Sequence, residues 1–327
     1  MSTEPKRSTD SKRSTESKRN TERECGKPLD EVEPITSGDE AFREKFVSWK
    51  LPDLTMTDVK EYLTEKDTVL VPMASTEQHG PHLPLDTDTI TALEVSRRVA
   101  KKIGVLYTRP VWMGYSPHHM HEAEQGRGTV TVRSSTLRSV LYDIGRSLIH
   151  HGFNRIVFVN GHGSNVKVID PLLRELRYDT GALVSLVKPY MENYVGILEG
   201  LMENPPEETP GWHASELETS QDMAWNGDFV RMDRAEFTQT SIPDFLPDSF
   251  GKKDGLPDVE FEGYKYFTFP MEHHEFTETG VIGNPVRATA EKGDEAFRRL
   301  STHVAKGILE LMEQPVEVHE REFKDRV

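Results

Sequence analysis

Apolar positions along this chain switch repeatedly between a strand-like run and a helix-like period. Residues 68–74 (TVLVPMA) form a short, β-rich apolar run that ends in polar residues, the pattern of a buried strand. Residues 89–103 follow with Ile90, Leu93, Val95, Val99 and Ile103 at helical spacing. A second strand is expected near 105–109. Residues 134–151 open on Ser134 and Ser135, either able to cap, and continue with Leu137, Val140, Leu141, Ile144 and Leu148, which predicts a helix. RIVFVN at 155–160 is the clearest buried strand, 166–178 reads as helix, 182–188 as strand, and 288–311 as a closing helix. Between them, 192 to about 266 is rich in Pro, Asp and Glu and weakly periodic, so long loops with short helices are expected there. Strands alternating with helices predict an α/β fold, a single domain whose largely parallel sheet is flanked by helices. Ligands bind such sheets beyond the carboxyl ends of the strands.

The first 36 residues break this pattern. KRSTDS, KRSTES and KRNTER repeat at 6–11, 12–17 and 18–23 without an apolar residue. With nothing to bury, such a segment cannot offset the entropy of ordering, so 1–36 is expected to be a disordered tail and 37–327 the folded domain. The formal net charge of −15 argues against nucleic acid, whose binding depends on counterion release by cations, and against anionic membranes. Cys25 is the only cysteine and lies in the tail, which suits a reducing compartment, and no apolar run approaches the roughly 20 residues of a membrane span. A cytoplasmic protein acting on a small molecule is expected.

Two polar clusters fall where predicted strands end, and a third lies in the loop-rich stretch. In STEQHGPHLPLDTD (75–88), Glu77 and His79 are two apart, which puts both side chains on one side of an extended segment. Asp88 returns at the start of the next helix. Carboxylate and imidazole together suit Zn, Mn or Fe, and a carboxylate bridging two cations recurs in two-metal hydrolysis. In NGHGSN (160–165), His162 lies between glycines that let the chain bend tightly. WHASELETS (212–220) holds His213, Glu216 and Glu218: a helix would put His213 with Glu216, an extended segment Glu216 with Glu218. SPHHMHE (116–122) and MEHHE (271–275) are histidine-rich, and His119 is a candidate for touching substrate. Trp212 is placed either to stack on a substrate ring or to pack. Walker, GxGxxG and GxSxG motifs are absent from the sequence.

Taken in order, STEQHGPHLPLDTD, GRGTVTV (126–132), NGHGSN, HASELETS and TGVIGNPVRATAEKG (279–293) resemble the creatininase, or creatinine amidohydrolase, family over about 75–293. The resemblance implies a single α/β domain, often assembled into hexamers, hence a homo-oligomer, and a site with two divalent metal ions, Zn, Mn or Fe. It implies that Glu77 and His79 bind different ions, that Asp88 bridges them, that His162 and Glu218 complete the site, and that His213 shuttles protons. One position departs: creatininase proper has a metal-binding glutamate, as in NGHYEN, where this chain has Ser164. Serine is a poor ligand, which argues against creatinine as substrate. The expected activity is attack of metal-activated water on the carbonyl of a small, cyclic amide or a formamide. One alternative is ring-opening C–C hydrolysis of a keto-cyclitol such as 3-dehydro-scyllo-inosose, with His118, His119, Glu122 and Arg127 forming a polar pocket. The other is a non-catalytic, metal-stabilised scaffold.

Overall fold

Strand β1 (Thr68–Met73) is buried at every position, as the unbroken apolar run requires of a central strand covered on both faces. It lies in a four-stranded parallel sheet of order β2–β1–β3–β4, with β2 at Leu106–Tyr107, β3 at Arg155–Asn160 and β4 at Leu183–Val187. The computed structural model describes residues 45–121, 124–189, 196–203 and 213–324. The tail expected over 1–36, and the expectations for Trp212 and Glu122, lie outside the described residues.

Alternation along the strands sorts two cores. Val69, Val71, Met73, Ile156 and Phe158 pack with α1 (Met56–Tyr62), α3 (Ser134–His150) and α4 (Val166–Thr180). Leu70, Val157 and Val159 face the other way, onto α2 (Thr87–Ile103), α5 (Glu216–Asn226) and α6 (Ala290–Met312). The result is the expected parallel sheet between two helical layers. Gly104 and Gly181, at φ of 63° and 78°, end α2 and α4 in left-handed caps.

Some expectations change. The second strand is only two residues long, and Arg133 rather than a serine holds the cap position of α3, with no side-chain cap. The region expected to be loops with short helices contains α5 and a three-stranded antiparallel sheet, β5 (Phe250–Gly251), β6 (Asp258–Phe261) and β7 (Tyr264–Thr268). Its hairpin turns at Glu262 and Gly263, both at positive φ, the geometry of a two-residue type I′ connection. Among the described residues no helix is long and apolar enough to cross a membrane.

Candidate metal centre

The carboxyl ends of β1 and β3 and the first turn of α2 meet at one point. Gly161 makes this possible: a Cβ there would stand 2.0 Å from the Asp88 carbonyl oxygen. The NGHGSN loop is clamped by its own amides. Asn160 Nδ2 donates to the His162 carbonyl at 2.7 Å, and Asn165 Nδ2 donates to the Ala74 carbonyl at 3.0 Å.

Around Asp88 the donors fall into two groups that share it. Its Oδ2 lies 3.0 Å from His162 Nδ1, and Glu77 Oε2 is 3.3 Å from the same nitrogen. Its Oδ1 lies 3.3 Å from His79 Nε2, and Glu218 Oε2 is 3.8 Å from that nitrogen. Glu77, Asp88 and His162 form one set with ligand atoms within 4.8 Å of one another; His79, Asp88 and Glu218 form a second. All five residues singled out in the sequence as metal ligands are therefore brought together. Four are buried and Glu218 is nearly so, and Asp88 Oδ2 has no hydrogen-bond partner. Three carboxylates packed with two imidazoles in a buried cluster carry negative charge that cations would balance, and carboxylate and imidazole donors together suit divalent ions, so this donor set fits two of them.

The electrostatics divide the site. Burial lowers His79 and His162, but Asp88, Glu218 and Glu77 lift His79 well above the ordinary histidine value, and Glu77 and Asp88 lift His162 to about 9. Burial and the Asp88 and Glu77 charges push Glu218 up to about 7, against the pull of His79. Burial would raise Glu77 too; the His162, His119 and His118 imidazoles outweigh it and hold that carboxyl well below its usual range. These two sets carry surplus negative charge that protons or cations must balance. The neighbouring histidines behave oppositely. Burial pushes His213 and His273 well below the usual value and His118 down to about 3.

The expected metal-site alternatives in WHASELETS resolve in an unanticipated way. Helix α5 starts at Glu216, so His213 precedes it and pairs in a short antiparallel bridge with Ile282, whose N–H donates to the His213 carbonyl at 2.8 Å. Glu216 turns away to Lys292 at 2.6 Å, while Glu218 points into the site. Ala214 sits at φ 52° and donates its N–H to Glu218 Oε2 at 2.6 Å, a strained backbone that joins His213 to a candidate ligand.

His119 Nε2 lies 3.0 Å from Glu77 Oε1, so the candidate for substrate contact supports a metal-site carboxylate directly. Arg127 does not join the pocket expected of it: it pairs with Glu124 at 3.4 Å in solvent.

Gln78 and Ser116 escaped the sequence reading, and His273 figures there only as part of the histidine-rich MEHHE patch, without a role. Gln78 Nε2 reaches His119 Nδ1 at 3.2 Å and His273 Nδ1 at 3.3 Å, while the Gln78 carbonyl accepts from His213 Nε2 at 2.7 Å. That last bond fixes the His213 proton on Nε2 and leaves Nδ1 as a lone pair, 3.7 Å from Glu77 Oε1. His119, His213 and His273 are close enough to hold an ion, but the Gln78 amide occupies their midst. Ser116 donates to Glu77 Oε2 at 2.5 Å. His273 arrives from a segment distant in sequence. Gln78 lies inside EQHG, Ser116 opens SPHHMHE and His273 lies in MEHHE, but only the fold shows that the three meet.

The remaining motifs support these groups. Thr129 Oγ1 accepts from the Gln78 N–H at 3.0 Å and Thr131 Oγ1 from the Ser116 N–H at 2.9 Å, which gives GRGTVTV a purpose. Gly280 packs on the Gln78 amide so closely that a Cβ would meet its Oε1 at 2.3 Å.

The chain is similar to known proteins over most of its length. A family model described as creatinine amidohydrolase (creatininase) matches residues 52–308. A 3-dehydro-scyllo-inosose hydrolase of Thermotoga maritima is 28% identical over 263 residues, 80% of this chain and 83% of the relative. A mycofactocin precursor peptide peptidase of Mycolicibacterium smegmatis is 32% identical over 242 residues, 71% of this chain and 80% of the relative. The manganese form of a creatininase superposes with a TM-score of 0.63 at 26% identity, over 82% of this chain and 100% of that one. A zinc–zinc form of a creatininase variant gives the same figures.

Proposed function

The chain belongs to the creatininase family, and from that premise we propose that it is a divalent-metal-dependent hydrolase that adds water to the carbonyl of a small amide or formamide. The observation that carries this is the buried Asp88 carboxylate, with one oxygen toward each donor set. Glu77 and His162 would hold one ion, His79 and Glu218 the other, and Asp88 both. Ions held there supply Lewis acidity, which lowers the pKa of water and polarises a carbonyl oxygen.

The protein's own residues manage the proton. Neutral His213, with Nε2–H committed to the Gln78 carbonyl, accepts a proton at Nδ1 and returns it to the leaving group. Burial and the neighbouring His79 hold His213 well below the usual histidine value, so it starts neutral, the form that can take up a proton. Glu77 is kept ionised by the three imidazoles around it. Burial of His79, Asp88, His162 and His213 keeps bulk water from competing.

A second reading is ring-opening C–C hydrolysis of a keto-cyclitol. The likeness to the Thermotoga enzyme over 80% of the chain favours it, as does the histidine wall of His118, His119 and His273. A leaving carbanion would take its proton from His213 in the same way. We also read the protein as a cytoplasmic homo-oligomer, which light scattering on the purified chain tests. The first experiment is metal analysis of the purified protein beside Asp88→Ala, with turnover assayed on cyclic amides, formamides and inososes. About two ions per chain, mostly lost in the variant, are expected. One ion or none in a well-folded, metal-supplemented protein would refute the two-ion reading.

A further inference from the structure

A cavity of about 240 Å³ opens onto the metal centre, lined by Glu77, Asp88, His162, His213 and Glu218 at one end. Its wall also carries Ser164, Lys167 and Lys188. The two lysines come from adjacent crossovers. Lys167 lies in the first turn of α4, just after β3, and Lys188 directly follows β4, which pairs with β3 in parallel. Both therefore stand at the carboxyl edge of the sheet, where ligands bind.

Neither lysine serves the fold in any visible way. Among the described residues neither has an ion pair or hydrogen bond, in a chain with 55 acidic residues against 40 basic ones. Lys167 stands at the positive end of the α4 dipole, where a cation is unfavourable, and no acid in that first turn offsets it. Two divalent ions would outweigh the three carboxylates of the centre, so nothing at that end repels an anion.

We propose that the substrate carries an anionic group, carboxylate or phosphate, held by Lys167 and Lys188 with the Ser164 hydroxyl beside them, while its carbonyl lies at the metal centre. This rests on the hydrolase reading only for where the carbonyl sits. Ser164 thus takes a role that a metal-binding glutamate would forbid, since a carboxylate there would repel the anion. The uncharged substrates of the amide and cyclitol readings are disfavoured relative to acidic ones of the same size.

The test is calorimetric binding to the metal-loaded protein, with two matched pairs of probes. N-acetylglycine is set against N-acetylglycinamide, and glycerol 3-phosphate against glycerol. The wild type should bind one anion or both about tenfold or more tighter than the neutral partner, the arm that binds distinguishing carboxylate from phosphate. Lys167→Gln/Lys188→Gln should lose most of that preference with metal content unchanged, and Lys167→Arg/Lys188→Arg should keep it. Equal preference in wild type and the Gln variant, or no binding of either anion at millimolar concentration, overturns the proposal. A chain that holds its metals but ignores charge refutes this inference alone. A chain that lacks metals but binds anions through the lysines refutes the hydrolase reading alone.

Discussion

At the scale of single residues, the site depends on atoms that never touch a reacting group. Gly161 is the clearest case, because its missing Cβ lets β3 approach the Asp88 backbone. Gly161→Ala must push that backbone away, and overpacking of this kind costs about 1–3 kcal/mol. Urea denaturation should show that loss, together with reduced metal content; an Ala variant with full metal loading would show that the loop can shift freely. Gln78→Leu removes the donor to His119 and His273 at nearly constant volume, leaving two buried imidazole nitrogens unsatisfied. Turnover should fall further than metal content, with an altered pH–rate profile. An unchanged profile would reduce Gln78 to packing. His213→Ala should keep its metals and lose about 10²–10⁴-fold in turnover; full activity would remove it from the mechanism.

At the scale of elements, the position of Glu218 depends on how α5 packs on α6. Gly293 in α6 meets α5 so closely that a Cβ would stand 1.9 Å from the Ser220 carbonyl oxygen. Gly293→Ala should move α5, lowering the melting temperature and the occupancy of the ion beside Glu218. Gly307 lies in the same helix with nothing within 4 Å of its missing Cβ. Gly307→Ala should be neutral or more stable by up to about 1 kcal/mol, the helix-propensity gain. Equal losses in both would point to helix α6 itself rather than the α5 contact. The β6–β7 hairpin is also an element-scale lesson. Its Val259/Phe261 alternation and the Glu262–Gly263 turn were readable, but the surrounding Pro, Asp and Glu masked them in a reading by composition.

At the scale of the whole molecule, the centre is a concentration of buried negative charge that links metal loading to stability. In chelated protein, protons must replace the cations. His162, raised to about 9, contributes stability that is full below its unfolded value near 6.5 and lost as pH rises through 9. Glu218, raised to about 7, acts in the same sense: its folded form keeps a proton that the unfolded chain has released, so stability falls as pH rises from about 4.5 through 7. Below about pH 6.5 the depressed His118, His213 and His273 act in the opposite sense, so the melting temperature of chelated protein should fall between about pH 7 and 9, while metal-loaded protein should be higher and flatter. Parallel curves for the two forms would show that the centre does not govern stability.

The sequence alone determined the α/β layering, because buried parallel strands must be unbroken apolar runs and their flanking helices must repeat at 3.6 residues. It also marked Glu77, His79, Asp88 and His162 in polar clusters that follow buried strands, while His213 and Glu218 were singled out by the resemblance to the creatininase family. Tertiary structure decided what these residues share. That Asp88 lies between two donor sets, that Glu216 points away while Glu218 points in, and that His273 joins His119 around Gln78 are matters of chain crossing. So is the meeting of Lys167 and Lys188 at one cavity. Local pattern sets which face of an element a side chain occupies, but only the packing of elements far apart in sequence brings two such faces together.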